Sequence, residues 1–343
     1  MPKLQLTFIL LIFSFSLAYS QKTIVGKISS KTTHEPIPYA NIGVVNSRAG
    51  TISNLDGSFS IILPERLSND TLTFTSLGFF AKKIPINILN PNENYTISLN
   101  EKTTILKSVI ITANVKDKLI EIGNRVCHNG NYQPDTTYAG RSVALLIDIK
   151  NLPEQLSHPV FLNKAKLYIF RNNFSSFKFR IRLNKYDSLT GKPGADLIDK
   201  NIIVKSGIIS GWIDFDLSKL NFQITGPFFV TFEQLIDIKD RAKIASGFRK
   251  IMRNHPDWLV TEVINFEGET MLNQVLTKDD TDLPGTFIGT SGSKPVIEKN
   301  TCFVRETSLG EWHKFPKIIT ATVSVNGLLG YATSDSVTVP KKD

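Results

Sequence analysis

From Lys22 to Leu99 the chain never runs more than a few residues before a turn signal breaks it, and this spacing limits the fold more than any other feature. The β-type runs Thr23–Ile28, Tyr39–Val45, Gly50–Ile52, Phe59–Leu63, Thr71–Ser76, Lys83–Ile88 and Tyr95–Leu99 alternate with Pro-, Gly- and Asp-bearing turns. Asp56-Gly57 is a hairpin turn of the kind Gly permits, since a lone carboxylate is not a calcium loop. Strands this short leave no room for helices, and seven of them predict a small β-sandwich. Composition agrees, with 22 Phe against 3 Met.

A second pattern of the same kind starts near Ser142, with strands expected at Val143–Ile149, Lys164–Phe170, Phe177–Tyr186, Ile202–Val204, Gly211–Leu217 and Phe228–Glu233, and later at Asn300–Glu306, Gly310–Lys314 and Ile318–Val325. In Phe177–Leu183 the alternation turns Phe177, Phe179, Ile181 and Leu183 inward and Lys178, Arg180 and Arg182 outward. Ile213, Phe215 and Leu217 share one face in the same way. The simplest closure is a two-sheet, jelly-roll-like sandwich. Asp237–Asn254 breaks the pattern with helical spacing, placing Ile238, Ala242, Ala245, Phe248, Ile251 and Met252 on one side. His255-Pro256 ends that helix. Asp279–Ser293, rich in Asp, Thr, Gly and Pro, is expected as a loop. The expected organisation is all-β: a signal peptide at 1–20, a seven-stranded sandwich at 22–100, a strand and linker at 101–131, and a second sandwich at 132–343 with a helix-bearing insertion at about 236–299.

The stretches Val25–Val44 (VGKISSKTTHEPIPYANIGV), Gly50–Ile61 (GTISNLDGSFSI) and Leu72–Phe79 (LTFTSLGF) resemble the carboxypeptidase regulatory-like domain. Gly26, Pro36, Pro38, Ala40, Asn41, Gly50, Thr51, Asp56, Gly57, Phe59, Phe74 and Gly78 carry the resemblance. It implies a transthyretin-like sandwich of the sort found in exported and outer-membrane proteins of the Bacteroidetes. It implies no catalysis, because the zinc-bearing domain of carboxypeptidases is a separate unit and neither H-x-x-E nor H-E-x-x-H occurs. Ile105–Thr112 resembles the short strand that commonly follows this domain. The series Phe179–Asp187, Thr190–Ile198, Gly211–Ser218, Pro227–Glu233 and Cys302–Trp312 resembles the C-terminal half of exported proteins with the same pairing. The resemblance covers most of 140–325, departs at about Ile236–Lys299 and implies no particular activity.

Lys3, the apolar run Leu4–Leu17 and Ala18-Tyr19-Ser20 spell a signal peptide, with cleavage between Ser20 and Gln21. Export follows, to the periplasm, the outer membrane or the cell surface. No later run approaches the ~18 apolar residues of a spanning helix, so no transmembrane segment is expected after signal removal. The formal charge of +9 is dispersed, with one cluster at Lys239–Arg253. An exported chain with scattered charge is not expected to bind nucleic acid. Cys127 and Cys302 lack metal-ligand spacing and leave two alternatives, a disulfide or two separate buried thiols.

Catalytic and cofactor motifs are lacking. Gly289-Thr290-Ser291-Gly292-Ser293 falls one glycine short of a nucleophile elbow and reads as a loop. The histidines sit at no ligand spacing, so no cofactor or metal is expected. These readings describe a non-enzymatic envelope protein that docks a protein partner, with Lys239, Lys243 and Lys250 as its contact residues. The alternative is carbohydrate binding, with Trp258, Trp312 and Trp212 as the aromatic candidates.

Overall fold

The computed structural model describes residues 21–102, 119–123, 127, 129–131, 139–148, 160–220, 222–266, 269–276, 283–292, 301–314, 319–321 and 323–329. The signal sequence and Ser20, the expected strand Ile105–Thr112, His128 and His158 lie outside these residues. Gln21 opens the first strand.

The first domain is a seven-stranded sandwich: β1 (Gln21–Ser30), β2 (Asn41–Gly43), β3 (Gly50–Ile52), β4 (Ser58–Pro64), β5 (Thr71–Thr75), β6 (Lys82–Pro85) and β7 (Asn94–Leu99). One sheet has the order β4-β1-β7, with β1 and β7 parallel; the other has the order β3-β2-β5-β6. Ile24, Ile28, Phe59, Ile61, Leu72, Phe74, Ile97 and Leu99 fill the space between them. Gly26 is required where it stands, because a Cβ there would sit 2.3 Å from the Tyr95 carbonyl and 2.8 Å from the Phe59 ring. Gly57 turns the hairpin at φ +76°, and the Asp56 carboxylate accepts bonds from the Ser58 amide and hydroxyl. β6 stops at Pro85, and Ile86–Ile88 form a 3-10 turn rather than the expected end of the strand.

The second domain is also a two-sheet sandwich. Its strands are β8 (Leu119–Gly123), β9 (Asn129–Asn131), β10 (Ser142–Ile147), β11 (Val160–Asn172), β12 (Phe177–Tyr186), β13 (Pro193–Asp196), β14 (Ile202–Ser206), β15 (Gly211–Asp216), β16 (Gln223–Ile224) and β17 (Phe228–Leu235). After the helix α1 (Ile238–Asn254) come β18 (Leu259–Phe266), β19 (Glu269–Leu276), β20 (Thr286–Gly292), β21 (Cys302–Arg305), β22 (His313–Lys314), β23 (Ile319–Ala321) and β24 (Val323–Leu329). One sheet runs β13-β12-β17-β10-β21-β22 with β14 beside β12. The other runs β23-β20-β11-β24-β8, with β15 and β16 on β11 and β9 on β20. Phe179, Ile181, Leu183, Leu167, Ile169, Ile213, Phe215, Val230 and Phe232 meet between the sheets, as the alternation of β12 and β15 predicts.

Three expectations change. Thr286–Gly292 is not a loop but the strand β20, paired with β11, β9 and β23. Its Thr-Phe-Ile run supplies the β preference, and Gly289 admits the Tyr168 ring and the Cys127 thiol, each 2.8 Å from where a Cβ would stand. The inserted part is therefore α1 and the separate hairpin β18-β19, and it closes before β20. The segment read as strand and linker supplies β8 and β9 to the second domain's sheet. The disulfide alternative is not realised. Cys302 is buried in the sandwich core, whereas Cys127 lies over Gly289, and both are thiols.

Candidate functional site

Strand β17 contains one charge in an otherwise apolar or neutral run, FFVTFEQL, and all eight residues are buried. Phe228, Val230 and Phe232 face the sandwich core, so Phe229, Thr231, Glu233 and Leu235 must be covered from outside. The cover is the first domain together with the loop after β21. Leu235 packs with Tyr39, Ile52 and Ala139, and Phe229 packs with Ala144, Phe303 and Trp312.

Glu233, fully buried, is the hub of this covered face. The Arg180 guanidinium on β12 donates to Glu233 Oε2 at 3.2 Å and Oε1 at 2.9 Å. It also crosses the junction, donating to the Tyr39 carbonyl at 2.9 Å and to Asn41 Oδ1 at 2.7 Å. Arg182 bridges Asp196 and Glu233, and the Ser308 hydroxyl donates to Glu233 Oε1. Arg305 bonds Ser142 Oγ at 3.2 Å and lies over the Trp312 ring at 4.4 Å. The sequence places Arg180 and Arg182 on a solvent face; the structure buries Arg180, with 1% exposure, because a second domain sits on that face.

Burial pushes the Glu233 carboxyl up, but Arg180, Arg182 and Arg305, aided by Ser308, outweigh it and hold the group at about 2. Burial and the neighbouring Arg182 push the Arg305 guanidinium down, to about 9. Both groups stay charged at neutral pH. The junction closes with backbone contacts as well. Asn46 N donates to the Leu309 carbonyl at 2.9 Å, and Ala139 N to the Gly50 carbonyl at 3.1 Å. Gly50 has no room for a side chain, since a Cβ would meet Thr307 Cβ at 2.8 Å. Tyr39 holds a left-handed backbone, φ +54°, at the point where its carbonyl meets Arg180.

The same junction seats α1. Asp237 at its N-terminus pairs with Lys178, whose ammonium lies 5.2 Å from the Tyr39 ring centre. Arg241 donates to Thr51 Oγ1 of the first domain at 3.2 Å. The buried face is Arg241, Ile244 and Ile251, with Gly247 against Pro284. Of the expected apolar stripe, Ile251 is buried and Ala245 and Phe248 are half-buried, whereas Ile238, Ala242 and Met252 are exposed, so the buried side is turned toward Arg241 and Ile244. The exposed face opposite carries Lys239, Lys243, Ser246, Lys250 and Arg253 at steps of three and four residues. The whole helix holds six cations against one acid. The three lysines chosen from sequence therefore share one exposed row, although Lys243 also pairs with Asp240 at 3.1 Å.

The three tryptophans do not come together. Trp312 is buried at 8% exposure beneath Arg305, which corrects its candidacy as a ligand contact. Trp258 is half-buried and stacked on His255, ring centres 3.8 Å apart. Trp212, at 37% exposure, stands on β15 beside Tyr168. Among the described residues no group of three or more His, Cys, Asp or Glu is placed to hold a metal, and no helix is long and apolar enough to cross a membrane.

Two facing sheets with a parallel β1–β7 pair in one of them, the Gly57 turn and the Phe59–Phe74 core decide the kind of domain that begins the chain. Residues 24–111 match the CarboxypepD_reg-like domain. That family is a non-catalytic β-sandwich module, in keeping with the resemblance carried by Val25–Val44 and Gly50–Ile61. A comparison with curated proteins finds no match. In this chain the CarboxypepD_reg-like domain is fastened to a larger sandwich by a buried ionic cluster. The signal for that cluster was one glutamate inside an apolar strand, since a buried Glu requires a paired cation.

Proposed function

We propose that this is a non-enzymatic, exported cell-envelope protein that docks an acidic protein partner on the basic face of α1. The observation that carries the reading is the exposed row Lys239, Lys243, Lys250 and Arg253, about 21 Å long at the rise of an α-helix. The CarboxypepD_reg-like domain acts as a brace, holding α1 through Arg241–Thr51 and through Lys178, which pairs with Asp237 and lies against Tyr39. A rigid helix presents its charges without the ordering cost that a mobile one would incur on binding. Export rests on the signal sequence at 1–20. Carbohydrate binding is the second reading, and the exposed Trp212 is what favours it.

The test is crosslinked recovery of the tagged mature protein from its own cell envelope. Wild type is expected to bring down a stoichiometric acidic partner, less at raised salt because exposed charges are screened. Combined Lys239→Glu, Lys243→Glu and Lys250→Glu should cut recovery at least tenfold. Recovery unchanged by reversal sinks the docking face, and hydrolytic turnover of peptides or glycosides sinks the non-enzymatic reading.

A further inference from the structure

The outer face of the β15-β11 edge has a chemistry unlike that of α1. On β11, Ala165, Leu167 and Ile169 point into the core, so Lys164, Lys166 and Tyr168 point out. Across the ladder stand Asp216, Asp214 and Trp212, in register with Lys164, Lys166 and Tyr168 respectively. The patch thus pairs two lysines with two aspartates and has no net charge. At its end Tyr168 and Trp212 meet edge to face, ring centres 5.2 Å apart and planes at 77°.

This aromatic pair is held in place. Tyr168 lies against Gly289 of β20, where any side chain would strike its ring. Trp212 follows Gly211, whose φ of +125° few other residues adopt. Lys164 is engaged with Asp214 at 2.8 Å. Among the described residues, Lys166 Nζ, Tyr168 Oη and Trp212 Nε1 make no hydrogen bond to protein. Three uncommitted donors therefore surround an exposed indole on neighbouring sheet positions, about 5–7 Å apart.

We infer that this face is a binding platform for a neutral polysaccharide. A sugar ring offers what the patch lacks: an apolar C–H face for Trp212 and hydroxyl oxygens for the donors of Tyr168, Trp212 and Lys166. The zero net charge gives no advantage to an acidic protein, the partner proposed for α1, or to any other polyanion. A neutral ligand that both donates and accepts fits a surface of alternating ammonium and carboxylate groups. This inference rests on the carbohydrate reading and gives it an address, away from Trp258 and Trp312.

The test is affinity electrophoresis of the mature protein in gels holding soluble neutral polysaccharides (a β-glucan, a xylan, a mannan), with binding constants from tryptophan fluorescence. Wild type is expected to be retarded by at least one, with little change on raising salt. Trp212→Ala should weaken binding at least tenfold, Trp212→Phe should restore part of it, and Trp258→Ala should leave it intact. Trp212 lies at the surface, so unchanged thermal melting of the variants certifies the fold. Retardation that survives Trp212→Ala overturns the platform while leaving carbohydrate binding standing. No retardation of wild type by any of the polysaccharides overturns both. The triple lysine reversal on α1 serves as a control, since a platform on β15-β11 predicts that it changes nothing here.

Discussion

At the scale of single residues, Glu233 decides most. It is fully buried, yet three guanidinium groups face it, and its carboxyl sits at about 2 against an ordinary 4.5. A carboxyl held below its unfolded value gives stability that is present above about pH 4.5 and is lost as pH falls toward 2. The shift corresponds to roughly 3 kcal/mol. Glu233→Gln should lower stability by about 3–5 kcal/mol at pH 7, because it leaves Arg180 buried without its counter-charge, while Arg182 keeps only Asp196. Urea denaturation at pH 7 and pH 3 checks both points. The variant should lose less on acidification than wild type; an equal loss would place the acid sensitivity elsewhere. A Glu amid Phe228–Leu235 was the legible sign. Which arginines answer it was not legible, because Lys178, Arg180 and Arg182 alternate alike, and only contact with Tyr39 and Asn41 singles out Arg180.

At the scale of elements, α1 shows how a correct helix can carry a wrong face. Its span agrees with the spacing of Asp237–Asn254, yet its buried row contains Arg241 while Ile238 and Met252 remain 41% and 39% exposed. Ile251 and Phe248 pack on apolar Leu283 and Phe287, but the first domain offers Thr51 to the same side of the helix, and this draws in Arg241. Ile244→Ala and Ile251→Ala should each cost about 2–4 kcal/mol. Ile238→Ala and Met252→Ala should stay within about 0.5 kcal/mol. Chemical denaturation separates the pairs, and the reverse ranking would put the buried side on Ile238 and Met252. β20 teaches a related point. Glycine and threonine read as loop residues in isolation, but Gly289 is there to let Tyr168 and Cys127 approach the strand.

At the scale of the whole molecule, the two sandwiches are bound by charge, backbone bonds and close approach, all at one junction. A junction that buries the Arg180–Glu233 pair cannot open without exposing that pair and Leu235 on one side and Tyr39 and Ile52 on the other. The domains should therefore unfold in one calorimetric transition, with equal calorimetric and van't Hoff enthalpies. Arg180→Met should weaken the coupling enough for the enthalpies to diverge. Two transitions in wild type would show a looser joint than the structure describes. Because α1 is seated on the same junction, Arg180→Met should also weaken partner recovery through α1 with every exposed lysine intact.

The amino-acid order alone determined the β character, the seven strands of the first domain, the inward faces of β12 and β15, the turn at Asp56-Gly57 and the position of the helix. Each follows from contacts a few residues apart or from a period of two, which local patterns encode directly. Tertiary structure alone decided that Arg180 is buried, that Trp312 is covered while Trp212 is open, and that the N-terminal module packs on the outer face of β17. Those outcomes depend on which surface arrives from far along the chain; Arg180 and Asn41 are 139 residues apart. A strand's own alternation says which side faces out, but what finally covers that side is set by packing between domains.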